Sequence, residues 1–502
     1  MSVGRRWLPG VCFTLLFSCL VPRLCPGQQT PAQPSPAQPA PALRATSQPA
    51  PAPAQPATQA YTLPPDKLAK AIAINRIWNI LDIVDGLWAI AFLWMLLATR
   101  VAARIESWAE QISVRRWLQG LVFFAVIFIL LTLANLPLDV FAHQVSRSYG
   151  IGIQGWASWF GDQAKAFGLT VLLGAPVLLL FNWIVRRWPR RYWLGIWVVT
   201  LPILFLGLFV APLFEPIFNT YEPLVKNHSV LVAKLETVVA RTGTNIPLDR
   251  MFLMIASAKT NGLNAYVDGI GATKRIVVWD TTAGRIPDDE VMFIFGHESG
   301  HYVLNHIPKQ LLGYATALFF VYWSCSAFAA WLVRRFGASW ALQPPNEKGG
   351  KGDPHNLGAP SIRSSIADGW ETTNLDRPNA PDSATSDTSM SQLSTRSGFV
   401  VLIFAITIAG FALEPAANTF SRHFEHEADV FGQEAIHGLV PDPQKTAVAG
   451  FQALGEAWLE DPNPSPIIEF WEYNHPSVKT RANFAANYNP WANGGHGEFF
   501  DK

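Results

Sequence analysis

RRWPRRYWLGIWVVTLPILFLGLFVAPL, residues 186–213, places four arginines within six positions and then runs apolar to its end. As a helix, such a run is long enough to cross a hydrocarbon core of about 30 Å. The arginines resist entering lipid, so they mark the end of the span that stays in the cytoplasm. Similar apolar runs lie before it at about 78–99, 117–137 and 168–185, and after it at about 311–333 and 398–413. Half of the chain is apolar, only 15% is charged and the formal net charge is +1. Together these point to a mainly α, polytopic membrane protein. The arginines flank apolar runs and form no basic face or tail, which argues against a nucleic-acid partner. Cys12, Cys19 and Cys25 lie at the very start and Cys325 lies inside an apolar run, leaving neither a disulfide framework nor a cysteine zinc site.

The arginine pattern also orients the chain. Arg100, Arg104, Arg115 and Arg116 follow the first run, and Arg334 and Arg335 follow the fifth. The loop 139–167 holds only Arg147 and Lys165. Alternation then puts everything after the fourth run, from Phe214, outside the cytoplasm. Asp82 and Asp85 near the start of the first run either mark a frayed helix start or face a wet interior.

Residues 1–27 read as a signal peptide or a first membrane anchor, and 28–64, rich in Pro, Ala and Gln, as a disordered linker. Membrane helices occupy 65–213. The region 214–310 alternates in the manner of strands through MFLMI, NAYV and KRIVVWD before a helix, suggesting a small α+β element. A span at 311–334, a polar disordered insertion at 335–397, a span at 398–416 and a C-terminal region at 417–502 complete the order.

IPDDEVMFIFGHESGHYVLNH, residues 286–306, reads as one helix, with Pro287 and three acids at its start and no further proline until Pro308. On that helix His297 and His301 lie one turn apart and project from one face, so they can hold one ion, with Glu298 beside them to reach a water. His306, five residues on, turns off that face and reads as structural or as a water contact. A catalytic zinc takes a third protein ligand. SRHFEHEAD, 421–429, offers His423, Glu425, His426, Glu427 and Asp429. Glu425 and Asp429 are one turn apart, so one can bind metal while the other orients a ligand imidazole. Spacing does not choose among Glu425, Glu427 and His426.

From about residue 65 onward the chain resembles the type I CAAX prenyl protease family, integral-membrane zinc metalloendopeptidases. The blocks APLFEPIFNTYEPL, NAYVDGIGATKRIVVWDTT, HESGH with Asn305 and His306, and NTFSRHFEHEAD carry the likeness, with a weaker match at HPSVKTR. The resemblance implies one Zn2+ per chain held by His297, His301 and Glu425. It makes Glu298 the catalytic acid or base and Asp429 the outer-shell aspartate. It places the strand of Asn264, Ala265 and Tyr266 along an extended substrate backbone. His475 and Arg481 match positions facing the active site, where either would share oxyanion charge. It also implies helices enclosing a chamber, with the zinc on its wall. Departures are Ser299 in place of an apolar residue, SAKTNGL before the strand, and the segments at 1–64 and 335–397.

The expectation is a membrane-embedded zinc metalloendopeptidase acting on peptide or protein substrates in the lipid bilayer. Its site faces away from the cytoplasm of a bacterial inner membrane, its work is processing or quality control, and its oligomeric state is open. The rival is a chaperone-like membrane protein whose structural zinc is closed by His423 or His426. A transporter ranks below both, since the spans show no matching halves.

Overall fold

A computed structural model describes residues 60–269, 271–342 and 389–500. The expected signal or anchor, nearly all of the linker and most of the expected insertion lie outside those residues. The chain runs α1 (Pro65–Ala98), α2 (Val101–Ile112), α3 (Arg116–Ser148), α4 (Trp156–Arg187), α5 (Tyr192–Phe218), β1 (Tyr221–Pro223), α6 (Ser229–Thr242), β2 (Met251–Met254), β3 (Ala265–Asp268) and β4 (Arg275–Trp279). It continues through α7 (Asp288–Val303), α8 (His306–Phe336), α9 (Arg396–Ala435), α10 (Pro443–Trp458), α11 (Pro466–Glu472) and α12 (Val478–Asn487). Among the described residues six helices, α1, α3, α4, α5, α8 and α9, are long and apolar enough to cross a membrane.

Several of these helices outrun their apolar stretches because their polar ends have protein to pack against. In α1, Ala71, Ile74, Trp78 and Leu81 recur at helical spacing and are buried in the core of the α+β element. The helix therefore starts at Pro65, and a frayed start at Asp82 and Asp85 is overturned: both lie well inside it, half-buried. Asn135 of α3 donates to Asp85 at 3.3 Å.

The arginine-rich turns gather at one end. Arg100 Nε donates to the Ser339 carbonyl at 2.9 Å, and the Arg396 guanidinium reaches Glu106, Glu110 and the Arg116 carbonyl. Glu106 accepts from the backbone N–H groups of Arg396 and Ser397, both at 2.9 Å, satisfying donors that the first turn of α9 leaves open. Residues 389–395 are consequently packed here, with Leu393 and Ser394 buried, inside the range that composition alone reads as disordered.

At the other end a second core joins the sheet, α6, α7, α10 and the segment before α1, where Tyr61 Oη donates to the Glu460 carbonyl at 2.9 Å. The sheet order is β1-β2-β4-β3, with β2 and β4 parallel and the outer pairs antiparallel. Residues 221–223 pair with β2 ahead of α6. β3 is an edge strand. Trp279 N–H donates to the Asn264 carbonyl at 3.1 Å, and the register pairs Tyr266 with Val277. Alternation of the antiparallel ladder therefore turns the backbone groups of Ala265 and Val267 to the open edge.

The contact that positions everything else is between α7 and α9. A Cβ on Gly432 would stand 2.7 Å from the His297 backbone nitrogen and 2.9 Å from its Cα, and one on Gly296 would stand 3.0 Å from the Gly432 carbonyl oxygen. Only glycine lets the two backbones meet at this distance. Gly432→Ala is expected to force the helices apart and cost about 1–3 kcal/mol. Thermal unfolding of the purified protein in detergent checks this; an unchanged melting temperature would contradict it.

Candidate metal centre

Glu425, Asp429 and Gly432 lie at i, i+4 and i+7 on α9, so one face carries two carboxylates and the glycine contact. That face meets the side of α7 bearing Gly296, His297, Gly300 and His301. His297 and His301 turn their Nε2 atoms toward each other at 3.2 Å. Glu425 closes the triangle, with Oε2 at 3.4 Å from His297 Nε2 and Oε1 at 3.6 Å from His301 Nε2. Among the described residues this trio is the group of metal-ligating side chains whose donor atoms all lie within 4.8 Å of one another.

The donor set suits zinc. A tetrahedron with bonds of about 2.0–2.1 Å has edges of about 3.3 Å, and the separations of 3.2, 3.4 and 3.6 Å, the last two to different oxygens of Glu425, lie near that length. Glu425 Oε2 is buried and faced only by imidazole nitrogens and, farther off, by Arg481, with His475 Nε2 at 3.1 Å and His297 Nε2 at 3.4 Å. Burial pushes the His301 imidazole down to about 3, into the neutral form that a metal requires.

Asp429 stands behind His297, its Oδ1 2.9 Å from Nδ1. An ionised carboxylate only accepts, so the pair fixes a proton on Nδ1 and leaves the Nε2 lone pair facing the trio. Arg481 of α12 grips the same carboxylate with two donors, Nε to Oδ2 at 2.9 Å and Nη2 to Oδ1 at 2.6 Å. Expected as a partner for oxyanion charge, it is engaged behind the imidazole. His475 stands nearer the open side, with Nε2 3.1 Å from Glu425 Oε2 and Nδ1 2.8 Å from Asn474 Oδ1.

Glu298 keeps part of its surface exposed. Burial raises its carboxyl to about 7; the His297 and Arg481 charges and a Val267 backbone hydrogen bond pull down, while the Glu425 charge adds to the rise. Val267 belongs to the edge strand, and Tyr302 of α7 donates to its carbonyl at 3.3 Å and to that of Gly269 at 3.0 Å. Asn264, Ala265 and Tyr266 thus lie on the strand that flanks the metal helix. Sequence reasoning passed over what holds this strand. Glu215, buried near the end of α5, accepts from Tyr221 Oη at 2.8 Å and Tyr266 Oη at 3.0 Å and pairs with Arg275. Arg275 in turn holds Asp268 through Nε at 2.8 Å and Nη2 at 2.9 Å. Both residues sit in quoted sequence blocks, but nothing in their spacing announces a pair 60 positions apart.

The remaining candidates part company. His423 and His426 are exposed, and the His426 ring rests on Phe484 with centroids 4.6 Å apart. Ser299 is fully buried with its hydroxyl unpartnered by protein. The reading of one helix from 287 through His306 is corrected: α7 stops at Val303, Asn305 adopts a left-handed conformation (φ 58°), and His306 opens α8. The periodicity that turned His306 off the metal face does not apply across that break. Its Nδ1 returns to within 3.1 Å of His301 Nδ1.

Residues 44–220 match the family model described as CAAX prenyl protease N-terminal, five membrane helices, and residues 227–489 match the model of peptidase family M48. A Bacillus subtilis protein called uncharacterized metalloprotease YhfN is 29% identical over 430 residues, covering 86% of this chain and 88% of the relative. CAAX prenyl protease 1 of Saccharomyces cerevisiae is 32% identical over 197 residues, which span 39% of this chain and 43% of that protein. The crystal structure of S. mikatae Ste24p shares the fold, with a TM-score of 0.62 at 20% identity over 85% of this chain and 89% of that one. The fold is thus a polytopic helical body with a chamber and a small sheet.

Arg481→Ala would leave the Asp429 carboxylate buried without its cation, at an expected cost of about 3–5 kcal/mol. Arg481→Lys should recover only part, because a lysine cannot reproduce the two-pronged grip. Melting temperatures of the three proteins in detergent decide it; equal values would contradict the pairing.

Proposed function

The chain belongs to peptidase family M48, and from that premise we propose that His297, His301 and Glu425 hold one zinc ion at which extended peptide segments are cut. It is a multi-span membrane metalloendopeptidase. The observation that carries the site reading is the meeting of three donor atoms beside a glutamate, Glu298, that takes no part in the triangle.

Bound there, zinc supplies a Lewis acid that polarises the scissile carbonyl and makes a water more acidic. Glu298 takes the proton of the attacking water on its carboxylate and delivers it to the leaving amine nitrogen. A carboxyl near 7 suits both halves of that transfer. The outward backbone groups of Ala265 pair with an extended substrate chain by strand addition, while Tyr302 and Glu298 hold Val267, and Asn264 and Tyr266 keep the strand in register. His475, on the open side of Glu425, donates to the developing oxyanion. Arg481 is a positioning residue that keeps Asp429 against His297.

The reading of a closed, structural zinc needs a fourth protein ligand. His423 and His426 are the candidates, and both are exposed, His423 beside Glu427 and His426 against Phe484. For the substrate, the relatives' names speak of CAAX prenyl proteases. We read the arginine turns as cytoplasmic, a reading that puts the metal centre on the side away from the cytoplasm, with proteins of the membrane and the space beyond as its substrates. We therefore favour processing or quality control of such proteins in a bacterial inner membrane.

His297→Ala and His301→Ala should lose zinc and activity together. Glu298→Gln should keep one zinc per chain and lose cleavage of a casein or dye-peptide substrate by about 10²–10⁴-fold. Metal analysis alongside the cleavage assay, with phenanthroline as a control, checks both. Metal-free Glu298→Gln protein, or one that still cleaves, would sink the assignment.

A further inference from the structure

His306 is fully buried, and both of its ring nitrogens are committed. Nδ1 lies 3.1 Å from His301 Nδ1, with the two rings nearly perpendicular at 76°. Nε2 lies 2.9 Å from Glu427 Oε2 on α9. The other Glu427 oxygen, Oε1, lies 3.4 Å from Nε2 of the exposed His423. A continuous line of polar atoms thus leads from the back of His301 to the surface.

The direction of its hydrogen bonds follows from chemistry alone. The Glu427 carboxylate only accepts, so the proton of the neutral His306 ring sits on Nε2 and its Nδ1 becomes an acceptor. The facing atom, His301 Nδ1, must then donate. A neutral His301 with its proton on Nδ1 has its lone pair on Nε2, the atom that faces His297 and Glu425. The opposite polarity would put a proton on the ligand atom. Asp429 imposes the same arrangement on His297 in one step; Glu427 imposes it on His301 in two.

We propose that His306 and Glu427 are positioning residues of the metal centre, a carboxylate-imidazole arm that fixes the tautomer and ring orientation of His301. This rests on the reading of His301 as a ligand. It gives Glu427 a place that its neighbours in SRHFEHEAD do not share. Glu425 faces the metal, Asp429 stands behind the first histidine, and Glu427 stands behind the second through a residue contributed by the next helix. The left-handed turn at Asn305 is what brings His306 back to serve it.

The test is the zinc dissociation constant of the full-length protein in detergent, measured by competition with a chromogenic chelator. Wild type is compared with His306→Phe, Glu427→Leu, Glu427→Gln and His301→Ala. Losing an outer-shell partner typically weakens metal binding about 10–100-fold, and that is expected of His306→Phe and Glu427→Leu. Glu427→Gln, whose amide oxygen still accepts from His306 Nε2, should recover most of the affinity. A merely structural role would not separate Gln from Leu in zinc affinity. Should His306→Phe fail to fold, the Glu427 pair, at a half-buried position, still decides. Wild-type affinity in Glu427→Leu together with zinc loss in His301→Ala would overturn the arm and leave the metal site standing. Undiminished zinc in His301→Ala would overturn both.

Discussion

Two helix backbones touch where α7 crosses α9, and the absence of a side chain at Gly432 makes that possible. Everything at the metal centre is measured from this contact. Because Gly432, Asp429 and Glu425 share a helix face, pressing the glycine against His297 delivers one carboxylate behind its imidazole and the other in front of it. On α7 the matching positions are Gly296 and Gly300, the latter against Phe431. One more methyl group at position 432 would have to be absorbed by backbone, which interiors packed to this density resist.

Burial then sharpens the chemistry. Glu425, Asp429 and Arg481 are each less than a tenth exposed, and charges so placed are tolerable only when each finds a partner. The pairing that results is also what fixes the imidazoles, so stability and ligand orientation rest on the same contacts. A second buried network does comparable work for the edge strand β3. Glu215 belongs to a membrane helix, yet its carboxylate collects Tyr221, Tyr266 and Arg275 and so ties the end of α5 to β3. The strand beside the metal is anchored to the membrane body as well as to its own sheet.

The membrane helices and the HESGH helix were legible because length, apolar runs and the acids after Pro287 are local signals. What lay beyond the apolar runs was not. The first turns of α1 are polar on one side and show their purpose only against the α+β core. Spacing reduced the third donor to a few residues of SRHFEHEAD, but choosing among them takes the crossing of α7 and α9, which no periodicity encodes. The helix break before His306 was hidden for a specific reason: a single left-handed residue, Asn305, ends one helix and begins another, and asparagine carries that possibility without declaring it. Arg481 and Asp429 stand 52 positions apart, and Glu215 and Arg275 stand 60 apart, and such pairings belong to the tertiary fold.

The two ends of the molecule have distinct characters. One gathers the arginine turns, tied together through Arg396, Glu106 and Arg100. The other carries the sheet, α7, the segment before α1 and the trio of His297, His301 and Glu425. Zinc K-edge X-ray absorption on the purified, zinc-loaded protein tests the central claim most directly. The account predicts a shell of two imidazoles, one carboxylate and one exchangeable oxygen, with bonds of about 2.0–2.2 Å and no sulfur. A shell closed by a third imidazole would contradict an open catalytic centre.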